Sequence, residues 1–216
     1  LYIQKVGIEN GNKGGLTQKL RRLRATCRYA EKQGIYGVDM KAFECLGDNI
    51  KWGQTISKAT SHITLEKLEN VDRSFFSKKE QLHLDLFLFS YYTGGMANVD
   101  VCYLTWDCIK EDKIIYERMK FPKQAKPLLI EKAKKIIEKY RSTGFENYIF
   151  PAFTHKHKTD MQRTRRISNL TVKMTLTLAK ACRLLKIKDK LTWYSARASF
   201  ITRMVDQGYS PYVVAE

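Results

Sequence analysis

The sequence predicts a mainly α-helical protein with a small antiparallel β-sheet, an α+β fold. Apolar residues recur at helical spacings of three and four in several segments. Between Trp106 and Leu129 the pattern changes to β-rich residues that are separated by turn signals. The chain has 216 residues, of which 44% are apolar, so it is long and hydrophobic enough for one or two packed cores.

The first predicted helix follows Gly14-Gly15, with Thr17 as its cap, and ends at Gly34. Its apolar stripe consists of Leu16, Leu20, Leu23, Cys27 and Ala30. A second face carries Arg21, Arg24 and Arg28, with Lys19 and Arg22 beside them and no acidic residue between Leu16 and Ala30. A solvated surface is one interpretation of this face. Contact with phosphates is favoured, because an ordinary surface helix mixes charges of both signs.

A polar segment with one glycine, residues 48–60, predicts a linker that carries Lys51 and Lys58. We therefore expect two domains, a helical one over residues 1–55 and a mixed one over residues 56–216. The second domain is predicted to open with a helix that starts at Thr64. Residues 79–92 form a helix that is apolar on most sides, which is typical of the centre of a core.

The predicted sheet has two or three strands around Ile114-Ile115-Tyr116, with turns at residues 111–112 and 121–124. Strand alternation would place Arg118 and Lys120 on one face. The sequence then predicts helices over residues 128–140 and 170–185, and a basic loop over residues 154–168. A further helix is capped by Thr192 and runs to Gly208, and another starts at Ser210-Pro211.

The charge is +17, and it is divided as +6 over residues 1–60, +2 over residues 61–150 and +9 over residues 151–216. A folded protein this basic usually faces a polyanion, and the two basic ends suggest two surfaces that grip it. The sequence has no apolar run long enough to span a membrane and no signal peptide layout. The five cysteines form no metal-like cluster, so we expect reduced thiols, a cytoplasmic location, and neither metal nor cofactor.

Several stretches resemble, in order, the motifs of tyrosine recombinases, the phage-integrase family of mobile elements. Residues 193–202 (WYSARASFIT) resemble the family's second arginine motif, His-x-x-Arg-His-x-Phe-x-Thr. Residues 91–106 (YYTGGMANVDVCYLTW) resemble its first arginine box, and residues 115–129 (IYERMKFPKQAKPLL) its β-hairpin with the catalytic lysine. Residues 61–71 (SHITLEKLENV) look like the entry to the catalytic domain. Residues 16–37 look like the last long helix of the core-binding (SAM-like) domain.

The resemblance implies a site-specific recombinase or integrase that cuts and rejoins DNA through a covalent 3'-phosphotyrosine. Its two domains would form a C-shaped clamp on double-stranded DNA attachment sites, in a nucleoid-associated protein. It would act as a homotetramer on synapsed DNA, and this is compatible with a monomer in solution. Arginine suits the charged phosphoryl transition state because it is a rigid bidentate donor that stays protonated.

The resemblance assigns catalytic positions to Arg197, Tyr194 and Lys120, with Asp100 in a supporting position. Tyr194 replaces the family's histidine, and it shares a helix face with Arg197. Lys120 would protonate the leaving oxygen. The candidate DNA-binding residues are Arg21, Arg22, Arg24, Arg28, Lys51, Lys123, Arg163, Arg165 and Arg166.

The sequence departs from the family pattern at three places. Met96 stands at the first arginine, so we hypothesise that Arg118 supplies that charge. Ala198 replaces the histidine that often follows the second arginine. The nucleophilic tyrosine is expected after Glu216, since Tyr209 and Tyr212 come too early, and the sequence as printed is expected not to cleave DNA. These departures keep open the alternative of a catalytically degenerate DNA-binding regulator.

Overall fold

The computed structural model describes residues 13–49, 57–120 and 122–210. The chain divides into two compact units, Leu1–Ile56 and Ser57–Glu216. The described part is mainly helical with short antiparallel β-pairs, which confirms the predicted fold class. None of the described helices is both long enough and apolar enough to cross a membrane.

The first unit contains helix α1 (Lys13–Lys32) and a 3-10 helix over Met40–Asn49. The prediction that Thr17 caps α1 is wrong, because the helix already begins at Lys13 and Thr17 is a buried residue within it. The predicted apolar stripe is only partly buried, since Leu20 is 9% exposed and Leu23 is 53% exposed. The predicted stop is correct, because Gly34 adopts φ +68° just after the helix ends.

The second unit is built around one central helix. Its helices are α2 (His62–Glu69), α3 (Lys78–Tyr92), α4 (Asn98–Tyr103), α5 (Glu131–Glu138), α6 (Asp160–Leu184) and α7 (Trp193–Asp206). Helix α3 packs against α5, α6 and α7, and Phe87 and Phe89 on it are fully buried. A capping box of Ser77 and Glu80 starts α3, so the strongly apolar helix predicted over residues 79–92 is confirmed.

Three helix starts differ from the prediction. The cap of α2 is Ser61, whose hydroxyl accepts from the Thr64 N–H, so Thr64 lies inside the helix. Helix α5 begins only at Glu131, because the preceding residues stay extended in a bridge between Lys113 and Leu128. Helix α6 begins at Asp160, since a capping box of Thr159 and Gln162 starts it there. Much of the predicted basic loop is therefore helical.

The predicted single sheet is in fact two separate two-stranded sheets. Strands β1 (Ile109–Lys110) and β2 (Lys113–Ile114) pair antiparallel, as do β3 (Tyr116–Glu117) and β4 (Gln124–Ala125). The strand-face argument for Arg118 and Lys120 is wrong, because β3 ends at Glu117 and Lys120 lies in a bend beyond it.

Of the two helices predicted at the carboxyl side, the structure describes the first. Helix α7 starts after Thr192, whose N–H donates to the Ser195 hydroxyl at 3.0 Å, and it ends at Asp206, close to the predicted Gly208. The helix predicted to start at Ser210-Pro211 falls on residues 211–216, which lie outside the described residues.

Candidate active site

The site forms where α7 lies against the turn that follows α3. Gly95 in this turn has φ +78°, and a Cβ built on it would stand 2.4 Å from the Arg197 Cα. Only glycine permits an approach this close in this backbone conformation. The Trp193 indole N–H donates to the Met96 carbonyl at 3.0 Å, so the same turn also holds the first residue of α7.

Met96 is a buried core residue, with 2% of its surface exposed. Its carbonyl accepts a second hydrogen bond, from the Ser90 hydroxyl at 2.7 Å. The turn that resembles the first arginine box therefore contributes an apolar side chain to the core and no charge to the site. Its backbone packs against the helix that carries Arg197 and holds the first residue of that helix.

Asp100 lies in the first turn of α4 and is 6% exposed. Burial raises the pKa of this carboxyl, while the Met119 N–H, which donates to it at 3.0 Å, lowers the pKa. The positive charges of Arg118, Arg197 and Lys120 act in the same direction as that hydrogen bond, in this order of strength. The structure thus brings three cationic residues close enough to one buried carboxyl to interact with it electrostatically.

Tyr116 interacts with Asp100, Arg118 and Arg197, although no sequence motif identified it as a site residue. Burial raises the pKa of its hydroxyl, and the Asp100 charge raises it further. Arg118 opposes this shift through its charge and through a hydrogen bond to Tyr116, and Arg197 opposes it through its charge. The signal in the sequence that could have identified Tyr116 is its position two residues before Arg118, at the end of β3.

Tyr194 lies one helical turn before Arg197 on α7, and 58% of it is exposed. Tyr194 is therefore a surface residue and not part of the core. The Lys58 ammonium lies over its ring, 5.9 Å from the centroid. Lys58 is a second neighbour of the site that the sequence analysis placed only in a linker.

The candidate DNA-binding residues of α1 are all exposed. They are Arg21, Arg22, Arg24 and Arg28. Lys123 is also exposed, and its carbonyl accepts from the Arg118 N–H at 3.2 Å, which ties the β3–β4 connection together. Lys51 lies outside the described residues.

The three candidate arginines of α6 have different surroundings. The Arg163 guanidinium lies over the rings of Tyr103, Tyr148 and Phe153, at 5.6 to 6.0 Å from their centroids. It also donates to the Tyr148 hydroxyl at 3.2 Å, so packing within the protein accounts for this residue.

Arg166 is half-buried and donates from Nε to the Ala152 carbonyl at 2.8 Å. Arg165, by contrast, is exposed. The reason for the difference is helical geometry, since Arg163 and Arg166 share the inward side of α6. Among the described residues, no group of three or more His, Cys, Asp or Glu side chains could hold a metal ion.

The fold is shown by comparison with solved structures. No protein-family model matches the sequence, and no curated protein sequence matches it. A solved structure of XerA recombinase superposes with a TM-score of 0.53 at 16% identity, covering 92% of this chain and 71% of that one. The Tn1549 transposon integrase, solved in complex with circular intermediate DNA, superposes with a TM-score of 0.59 at 14% identity, covering 99% and 73% respectively. The chain therefore has the fold of tyrosine recombinases, as the sequence motifs predicted.

Proposed function

We propose that this chain, with its tyrosine-recombinase fold, binds duplex DNA and supplies the charged side chains for cleaving and rejoining a DNA strand. The observation that carries the proposal is that the buried Asp100 accepts from the Met119 N–H, between Arg118 and Lys120, while the charges of these two residues and of Arg197 act on its carboxyl. Three cations that act on one buried carboxyl suit a phosphodiester better than any neutral ligand. The Tn1549 integrase, which has the same fold, was solved with DNA.

In this proposal each cation has a separate task. Arg197 offers two parallel N–H donors to the non-bridging oxygens, where negative charge gathers in the pentavalent transition state. Lys120 protonates the leaving oxygen. Asp100 is a positioning residue, because it holds the Met119 backbone N–H and so fixes the segment that carries the two hairpin cations.

Arg118 is proposed to supply the charge that Met96 does not. Position 96 holds a buried methionine, so it supplies no cation. Two hydrogen bonds to the Met96 carbonyl hold its backbone in place. The Arg118 N–H donates to the Lys123 carbonyl at 3.2 Å, which ties Arg118 to the β3–β4 connection, and its charge acts on Asp100 as that of Arg197 does. In this proposal Arg118 and Arg197 both donate to the phosphate.

The reaction implied by the resemblance is attack of a tyrosine on the phosphodiester. The O–P bond to tyrosine forms as the bond to the leaving 5'-oxygen breaks, and the 3'-phosphotyrosine conserves the energy of the phosphodiester for rejoining. The proton lost by tyrosine is balanced by one gained at the leaving oxygen. Incubating the complete protein with nicked duplexes of its own attachment site tests this, because the nick lets the leaving strand escape and the adduct accumulate. Absence of any covalent adduct would refute the enzymatic proposal.

A second candidate function is DNA binding without cleavage, as in a regulator. The buried Met96 and the replacement of histidine by Tyr194 favour it, since both remove a conventional donor from the site. The two candidates share DNA binding and differ in the adduct, so the same trapping assay separates them.

Both candidates predict that α1 contacts phosphates. Replacing Arg21, Arg24 and Arg28 together with alanine should weaken duplex binding and lower the slope of log K against log salt by about 2 to 3, because each phosphate contact releases roughly 0.9 of a counterion. Fluorescence anisotropy at several salt concentrations measures this slope. A control variant without Lys79, Lys110 and Lys135, exposed in the second unit, matches the loss of net charge. If the two variants have equal slopes, α1 does not contact DNA phosphates.

A further inference from the structure

Lys58 is held against the helix that carries Arg197. Its ammonium lies 5.9 Å from the centroid of the Tyr194 ring, within the range of cation–π attraction. Tyr194 precedes Arg197 by three residues, so both side chains project from one face of α7. Tyr194 therefore links the Lys58 ammonium to the face of α7 that carries Arg197.

The backbone near Lys58 is anchored to the protein. The Thr60 N–H donates to the Ser199 hydroxyl at 2.8 Å, and the Thr60 hydroxyl donates to the Asp189 carboxylate. Ser199 is 2% exposed, so the Thr60 N–H is bonded to the buried face of α7. Only Ala59 lies between Lys58 and this anchor, so the anchor restricts the positions that the Lys58 ammonium can reach.

The exposed ring of Tyr194 offers its face to the Lys58 ammonium. Among the described residues, none forms a hydrogen bond with the Tyr194 hydroxyl, so the Lys58 ammonium contacts Tyr194 through its ring. The negative face of an aromatic ring attracts a cation without neutralising its charge. An ammonium held in this way keeps its donors available for an anion that approaches Arg197.

We propose that Lys58 is a phosphate-binding residue of the Arg197 site and that Tyr194 acts through its ring, as the platform that positions the Lys58 ammonium. The inference rests on the proposed DNA binding and goes beyond the resemblance, in which Tyr194 takes the position of a histidine. It accounts for a tyrosine at that position, since a phenol is a poor proton acceptor near neutral pH but a good platform for a cation.

The test uses the 216-residue chain and a short mixed-sequence DNA duplex, with affinity measured over a range of salt concentrations. Lys58→Ala should lower the salt slope by about 1, as expected for the loss of one phosphate contact. Tyr194→Leu, which removes the platform, should weaken binding about two- to fivefold. Tyr194→Phe keeps the ring and should bind more tightly than Tyr194→Leu. The double variant Lys58→Ala with Tyr194→Leu should lose no more than Lys58→Ala alone, because the two residues act as one unit.

The matched control is Lys79→Ala. Lys79 is exposed at the opposite end of α3 from the Gly95 turn, about 20 Å along that helix. If Lys58→Ala has the same slope as Lys79→Ala, Lys58 does not contact phosphate and the inference fails. If Tyr194→Phe is as impaired as Tyr194→Leu, the hydroxyl carries the role and the platform is refuted. A parent chain that binds no duplex at any salt concentration overturns the proposed function itself, and this inference with it.

Discussion

Replacing Arg197 with alanine should reduce covalent adduct formation by the complete protein on the order of 10²–10³-fold, the effect of removing one preorganised donor from a phosphoryl or acyl transition state. The loss should appear in the rate of adduct formation rather than in duplex affinity. The reason is that many phosphate contacts share the binding, whereas the charge that develops during cleavage is local.

Two further variants sharpen this expectation. Arg197→Lys keeps the charge but not the bidentate geometry, so it should recover only part of the rate. Arg183→Ala removes an exposed arginine from the last turn of α6 and should cleave as the parent does. Equal rates for Arg197→Ala and Arg183→Ala would show that Arg197 is an ordinary surface arginine.

Replacing Gly95 with alanine should lower the free energy of unfolding by about 2–5 kcal/mol. A left-handed conformation costs a residue with a Cβ about 1–2 kcal/mol, and forcing an atom into a packed contact costs about 1–3 kcal/mol more. The contact here is with backbone, since the new Cβ would stand 2.4 Å from the Arg197 Cα. Helix α7 must move to relieve it, so adduct formation should fall as well.

The matched control is the neighbouring glycine. Gly94 also has φ +78°, but a Cβ on it would meet only the Phe200 ring, at 3.7 Å. Gly94→Ala therefore carries the conformational cost without the close approach, and urea unfolding of the two variants isolates the contact with α7. If both variants lose the same free energy of unfolding, the proximity of Gly95 to Arg197 has no energetic consequence. The Gly95 turn then does not determine the position of α7.

The helices that the sequence predicted well are those whose local signals and packing agree. Helix α3 is apolar on most sides because it is the centre of the core, and α7 is capped by Thr192 where predicted. The start of α6 was missed because its first turns are basic and lack an apolar stripe. The capping box of Thr159 and Gln162 decides that start, and it is a short-range signal that the loop interpretation overlooked.

The candidate residues could be proposed from the sequence, but their geometry could not. The order of motifs identified Arg197, Lys120 and Asp100 as candidates, and in the structure the charges of Arg197 and Lys120 act on the Asp100 carboxyl. The role of Met119 could not be read from sequence, because it is a backbone N–H that satisfies a buried carboxyl 19 residues away. The contact of Lys58 with Tyr194 spans a still larger separation and depends on the anchor at Thr60.

Arg118 carries the central claim, namely that a hairpin arginine replaces the one that is missing at Met96. The most direct measurement is the rate of covalent adduct formation by Arg118→Ala in the complete protein, on a nicked duplex of its own attachment site, with Lys79→Ala as the control. We expect a fall of at least about tenfold, because one of two arginines that face the phosphate is lost. A rate equal to that of the parent would contradict the claim and show that Arg118 does not act on the phosphate.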